Sequence, residues 1–276
     1  MTTAWLTDVF LPQLAFPALV FAIALPLELL LPAARNRSLR ALGFNLVAAL
    51  IYLFMTTLLE PVLSQVLAPA RAHLGLMIPV RFPDGVWGSL GQGLAFFLVY
   101  DFFYYGWHRA QHRSRWLWVQ HRFHHQERWL NVTTVHRVNF TEDLFRIFVV
   151  LLPMTLLFDF KPVTVGWVWT IFTLWGYWVH ANLRVRLGPL GRWISGPQFH
   201  RYHHTPEFMN TNFAAFFPLW DRVFGTYHHP EGFPELTGLK AGGDGNNLRD
   251  AVAYPFIEWA KGVRRLVGGR AGATRG

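Results

Sequence analysis

The sequence contains no cysteine. That removes disulfides, thiolate zinc sites and iron–sulfur clusters, and it leaves the redox compartment unreadable from thiols. Charge is scarce as well: 15% of the 276 residues are charged, against about a quarter in soluble domains. Acidic residues are the scarcer sign, with 16 Asp and Glu against 25 Lys and Arg, for a net charge of +9. No flavin or nicotinamide glycine fingerprint is present, which argues against a fused redox domain of that kind. A repeat of fixed period is also missing. What the chain has instead is apolar bulk, 52% hydrophobic and 17% aromatic. That balance points to the bilayer. The positive charge does not argue for nucleic acid, because the arginines are scattered among tryptophans and phenylalanines and form no basic helix. Basic loops beside apolar spans read as flanks facing anionic membrane lipid.

Val9 to Leu31 is almost wholly apolar and long enough to cross a bilayer. Asp8 and the lack of Lys or Arg before it make it a poor signal peptide. Arg35, Arg37 and Arg40 follow, then a second span from Ala41 to about Leu63, interrupted by Asn45 and Glu60. Ala68 to Trp87 carries Pro69, Pro79 and Pro83 and reads as a loop or shallow segment. A third span runs from about Gly88 to Trp107 and contains Asp101. Leu144 to Phe160 and Val163 to about Val179 are two further apolar stretches with a tight link, the pattern of a helical hairpin. Asn247 to Leu266 has the pattern of a basic amphipathic helix on a membrane surface. The expected fold is therefore an all-α integral membrane protein of four to five transmembrane helices under a cytosolic histidine-rich cap. Its divisions are membrane anchors over 1–100, a catalytic region over 101–230 that includes the hairpin, and a basic tail over 231–276. Arginine-rich loops at 35–40, 109–146 and 184–270 place those segments in the cytoplasm by the positive-inside tendency.

Of thirteen histidines, eight fall in three boxes. These are His108 and His112 in HRAQH, His121, His124 and His125 in HRFHH, and His200, His203 and His204 in HRYHH. His180 ends the last apolar stretch. Residues at i, i+3 and i+4 share a helix face, so each box presents two or three imidazoles in one direction. Nine nitrogen ligands exceed what a single structural zinc needs and point to two metals. Imidazole suits iron, copper, zinc and nickel alike, so spacing does not name the metal. All nine lie at the cytoplasmic ends of spans or in cytoplasmic segments, where they can converge. Asp101, Tyr105, His108 and His112 form one stripe on the third span. Asp101 is expected to accept a bond from an imidazole N–H and fix its tautomer, with Tyr105 beside it; the other reading is a structural bond to a neighbouring helix. Isolated histidines such as His73, and the adjacent pair His228 and His229, read more simply as surface residues.

These motifs resemble the fatty acid hydroxylase superfamily, which includes sterol desaturases and C4-methyl sterol oxidases. The resemblance runs from about Asp101 to Tyr227 through DFFYYGWHRAQH, WVQHRFHH, WVHANL, HRYHH and TNFAAFFPLWDRVFGTY. It implies that the nine histidines bind two non-haem irons. Asn139 stands where many relatives have a further histidine, and Gly176 where a fatty-acyl branch has another. The tenth ligand is thus unassigned, with His136, Asn182 or a water as candidates. The resemblance further implies O2 as co-substrate, a lipid-like substrate, and electrons from a separate donor of ferredoxin or cytochrome type. The reaction would be hydroxylation or desaturation of a C–H bond. The length and the lack of retention signals point to a bacterial inner membrane. The rival readings are a membrane metal-binding or transport protein and a dizinc hydrolase.

Overall fold

The computed structural model describes residues 3–74, 78–160 and 162–273. Three helices are long and apolar enough to cross a membrane. They are α1 (Thr3–Leu30), α2, which crosses with Leu39–Pro61 and runs on to Leu74, and α3 (Val86–Arg113). Their outward faces are leucine-, valine- and phenylalanine-rich and exposed, as a lipid-facing surface must be. This is an integral membrane protein. The proline-bearing segment after residue 68, expected as a loop, instead prolongs α2 through Pro69.

Helix α3 reaches beyond the apolar span, so that His108 and His112 ride on its last turns. Ser114 breaks it in an extended conformation, and α4 (Arg115–His125) turns back with the second box. A short 3₁₀ turn, Val132–His136, follows; Asn131 caps it, accepting from Thr133 N while Thr134 reciprocates. The fourth apolar stretch is one helical run in three parts: α5 (Thr141–Arg146), a π-helical turn at Ile147–Leu151, and α6 (Leu152–Leu157). Phe158–Asp159 then pairs in parallel with Ile78–Pro79. Helix α7 (Pro162–His180) returns alongside α3 and ends at His180. The two arms expected as a hairpin each pack against α3, and neither is among the helices of the described residues that meet the length and hydropathy of a span. Box three lies on the short helix α8 (Pro197–His203), which starts with Pro at its first position. After α9 (Leu219–Val223) and a π-helical turn at Arg249–Ala253, α10 (Tyr254–Ala273) closes the chain where a surface helix was expected.

Aromatic packing joins α3 to α7. Phe96, Phe97, Tyr100 and Trp107 pack with Val150, Met154, Phe160 and Val168, and the Tyr100 ring meets Phe172 edge-on at 4.4 Å. Gly93 permits the approach: a Cβ there would stand 2.2 Å from the Trp167 ring. At the histidine end, Ala33 N donates to Asn182 O and Pro32 bridges Leu183. The link between α1 and α2, the end of α3 and the segment after α7 therefore share one end of the bundle, as the placement of basic residues implied.

Candidate metal centre

The nine box histidines, counting His180, converge in two groups. His108, His112, His121, His125 and His203 form one; His124, His180, His200 and His204 form the other. Within each group one ring nitrogen per residue lies within 4.8 Å of every other. Eight of the nine are buried, and His112 is half-buried.

Five of the outward nitrogens are committed, whereas His125 Nδ1 and His204 Nδ1 are buried and meet no partner among the described residues. His108 Nδ1 donates to Phe213 O at 2.7 Å, His180 Nδ1 to Gly176 O at 2.7 Å, and His203 Nδ1 to Thr211 O at 2.7 Å. His121 Nδ1 donates to Glu142 Oε2 at 2.9 Å, and His124 Nδ1 lies 3.3 Å from Arg137 O. Each such bond fixes the tautomer with its proton on Nδ1, leaving the Nε2 lone pair pointing inward. Burial among neighbouring imidazoles holds His124, His125, His200 and His204 well below the ordinary histidine pKa. His203 is lowered to about 3, burial outweighing its bond to the Thr211 carbonyl. Neutral imidazole is the ligating form, so these residues are ready for metal at physiological pH.

The inward spacing tests the fit. Nε2–Nε2 separations are 3.1 Å for His108–His121, 3.1 Å for His121–His125 and 3.0 Å for His108–His203. In the other group they are 3.1 Å for His124–His180, 3.0 Å for His180–His200 and 3.1 Å for His200–His204. Where both rings carry their proton on Nδ1, as in His108–His121 and His108–His203, the two Nε2 lone pairs face each other and a cation fits between them. At a metal–nitrogen length of about 2.1 Å, a tetrahedral angle sets nitrogens about 3.4 Å apart and a right angle about 3.0 Å. These edges lie near the right-angle value, and the donor atoms of each group all lie within 4.8 Å of one another. His112 Nε2 is buried and meets no partner among the described residues, as an inward ligand atom would be. The donor set therefore fits a metal ion in each group.

The other candidates sit elsewhere. Asp101 touches no imidazole: its carboxylate accepts from Ala215 N, Phe216 N and Phe217 N at 3.0, 3.0 and 2.7 Å. This is the alternative structural reading, although the partner is a loop and not a helix. Asp221 holds the same loop one step earlier, accepting from Phe213 N and Ala214 N at 2.8 Å each. Together the two carboxylates fix the segment whose Phe213 carbonyl orients His108. Tyr105 bonds Thr226 Oγ1 at 2.9 Å, and Thr226 donates to Asp221, so Tyr105 braces this clamp. Asn182, next to a ligand position in the chain, spends its amide on Ala34 N and O and accepts from Arg201. It has no free oxygen for a metal. His136 belongs to neither group; its Nε2 meets the Tyr177 hydroxyl at 2.7 Å. Glu142, which the sequence reading passed over, is the carboxylate that touches a box histidine. Its signal was a paired acid, Glu142–Asp143, at the mouth of an apolar stretch.

A cavity of about 310 Å³ opens on the centre from the membrane side. His108 and His121 of one group and His124, His180 and His200 of the other face it, together with Glu142, Trp169 and Phe172. Residues 93–226 match the family profile described as fatty acid hydroxylase. This stretch is similar to the fatty acid hydroxylase family. The matched stretch contains all nine box histidines, Glu142, Asp101 and Asp221. Among curated proteins the chain is 28% identical over 208 residues to an ornithine lipid hydroxylase of Rhizobium tropici, covering 74% of this chain and 60% of that protein. It is 34% identical over 171 residues to alkylglycerol monooxygenase of Danio rerio, covering 61% and 37%. It is 33% identical over 140 residues to a cholesterol 25-hydroxylase-like protein of Danio rerio, covering 48% of each chain. The chain thus spans less than two thirds of these relatives. No solved structure matches it.

Proposed function

We propose that this protein is an O2-dependent membrane oxygenase that hydroxylates a lipid at a di-iron centre held by His108, His112, His121, His124, His125, His180, His200, His203 and His204. The observation that carries this reading is the pair of histidine groups that border one cavity together with Trp107, Trp169 and Phe172. Two bound irons would supply O2 activation and cleavage of an unactivated C–H bond, given electrons one at a time.

The chain's own residues do the rest. The buried imidazoles offer inward nitrogens, and backbone carbonyls and Glu142 hold the rings of His108, His121, His180 and His203 in register. Trp107, Trp169 and Phe172 line the cavity with apolar surface, which keeps water from the reacting carbon and aligns an alkyl chain. His136 and Tyr177, in the same wall, form a hydrogen-bonded pair outside both histidine groups. The names of the relatives, a lipid hydroxylase and two monooxygenase or hydroxylase types, favour hydroxylation over desaturation.

With the arginine-rich end cytoplasmic, the centre faces the cytoplasm of a bacterial inner membrane. A separate ferredoxin or cytochrome would deliver electrons to that basic surface. A transporter would carry ligands near the midplane of its spans, whereas these gather at one end.

The test is elemental analysis and Mössbauer spectroscopy of detergent-purified protein, followed by lipid extraction from cells grown under ¹⁸O2. About two irons per chain, together with one ¹⁸O in a lipid product, is the expected result. Two zincs and no iron after iron-replete growth would overturn it.

A further inference from the structure

One wall of the cavity is ionic, which an alkyl chain alone does not need. Asp143 Oδ1 pairs with Arg146 Nη2 at 2.5 Å, and Asp143 Oδ2 accepts from the Tyr52 hydroxyl. All three residues line the cavity. Arg146 lies on the same apolar helical run that continues into the π-turn at Ile147–Leu151. An ion pair is expensive in such surroundings, and intramembrane charges mark sites of recognition or transport. Asp143 directly follows Glu142, the carboxylate on His121, so the pair and the metal-facing histidines border one space from neighbouring positions of α5.

The donors and acceptors define what fits. Both Asp143 oxygens are occupied, and the charge of Arg146 is already balanced. The Nε–H of Arg146 meets no acceptor among the described residues, so its guanidinium is only partly satisfied. Tyr52 donates its one proton and keeps oxygen lone pairs to accept with. A hydroxyl can donate to the Tyr52 oxygen and accept from Arg146. A carboxylate or phosphate would compete with Asp143 for a neutralised cation, and a plain hydrocarbon would leave the wall unpaired.

We propose that Tyr52, Asp143 and Arg146 form a headgroup anchor that selects an uncharged, hydroxyl-bearing lipid and sets oxidation within a few bonds of that headgroup. The proposal rests on the lipid oxygenase reading for its chemistry, but its test reads binding. Metal-loaded protein in detergent is titrated with tritiated monopalmitoylglycerol by scintillation proximity, with palmitate and hexadecane as competitors. Both competitors are expected to bind at least ~10-fold more weakly, the value of about one well-placed hydrogen bond. Tyr52→Phe and Arg146→Met are each expected to weaken the glycerol lipid about 10-fold and to leave hexadecane unaffected. Tyr52→Phe keeps its ring and packing, and unchanged metal content with monodisperse elution checks the fold of both variants. Hexadecane competing as well as the glycerol lipid, palmitate binding more tightly, or variants that bind like the wild type would each overturn the anchor. Oxidation that is indifferent to the headgroup defeats the anchor alone, whereas selective binding without any lipid oxidation defeats the oxygenase reading.

Discussion

Replacing Glu142 isolates what a single carboxylate contributes to one half of the centre. Glu142 Oε2 accepts from His121 Nδ1 at 2.9 Å and from Gln111 Nε2 at 2.7 Å, while the buried Oε1 meets no partner among the described residues. Glu142→Gln keeps the volume and lets the amide oxygen accept both bonds, with the NH2 where Oε1 was. Only the charge is lost. A hydrogen bond to a charged acceptor is worth roughly 1.5–3 kcal/mol and a neutral one roughly 0.5–1.5, so two bonds together lose about 2 kcal/mol. His121 also becomes a poorer donor of electron density. A partner of this kind typically sets metal affinity by about 10- to 100-fold, which agrees with that figure at about 1.4 kcal/mol per decade.

The assay is metal retention after dialysis against graded chelator, read separately for the two groups. Glu142→Gln should weaken the five-histidine site by about 10- to 100-fold and leave the four-histidine site within roughly threefold, because His121 belongs to the first. Glu142→Ala should cost more, since it strands two buried donors. If both sites weaken alike, the carboxylate acts on the fold as a whole; if neither does, the bond to His121 does not tune the ligand. Either result refutes the reasoning.

Substituting one ligand in each group separates them: His203→Ala should empty the five-histidine site and His124→Ala the four-histidine site, with total metal falling by about half in each by elemental analysis. Asp101→Asn keeps an oxygen on Ala215 N and Phe216 N but sets its NH2 against Phe217 N and removes the charge, and should cost roughly 2–4 kcal/mol, seen as a lower unfolding temperature with the histidines themselves untouched. Gly93→Ala should cost about 1–3 kcal/mol by forcing Trp167 off α3, measured by thermal unfolding. Metal removal should make the protein acid-sensitive. The folded His203 site titrates near 3 and the unfolded one near 6.5, so the unfolded chain gains protons first and stability falls from pH 6.5 toward 3. A flat unfolding temperature over that interval would count against buried neutral imidazoles.

The histidine groups were legible because each box is local. Spacings of three and four within HRAQH, HRFHH and HRYHH state which side chains share a helix face, and α3, α4 and α8 realise them. Three of the expected spans were legible from apolar length. What was not legible depends on partners far away in sequence. Asp101 meets residues 114 to 116 positions later, and the stripe it forms with His108 on one helix gave no sign of that loop. Asn182 stands two residues from His180, yet its amide is claimed by Ala34 across 148 residues. His136 seemed well placed to replace the missing histidine, but its neighbour across the chain is Tyr177. Glu142 could have been found by noting that two adjacent acids enter an apolar run that offers one cation, Arg146.

A cluster of nine buried or half-buried imidazoles is a poor core by itself. The inward lone pairs of His108 face those of His121 and His203 at 3.1 and 3.0 Å, an arrangement that a cation relieves. Something other than mutual attraction must therefore hold the rings in place before metal arrives. The contacts on the outer nitrogens do so, and they come from elements fixed for other reasons. Gly176 O belongs to a helix packed against α3, Thr211 O and Phe213 O to a loop strung between Asp101 and Asp221, and Arg137 O to a buried arginine tied to Asn45 and Phe123. Asn212, at φ 59°, turns that loop, and its amide binds Phe199 and His228. The histidine positions are thus set by the whole histidine end of the bundle. It follows that the ligands and the residues behind them act as one unit: weakening any outer contact lets its ring turn away and relieves the repulsion, so the loss appears first in metal affinity and only then in the stability of the fold.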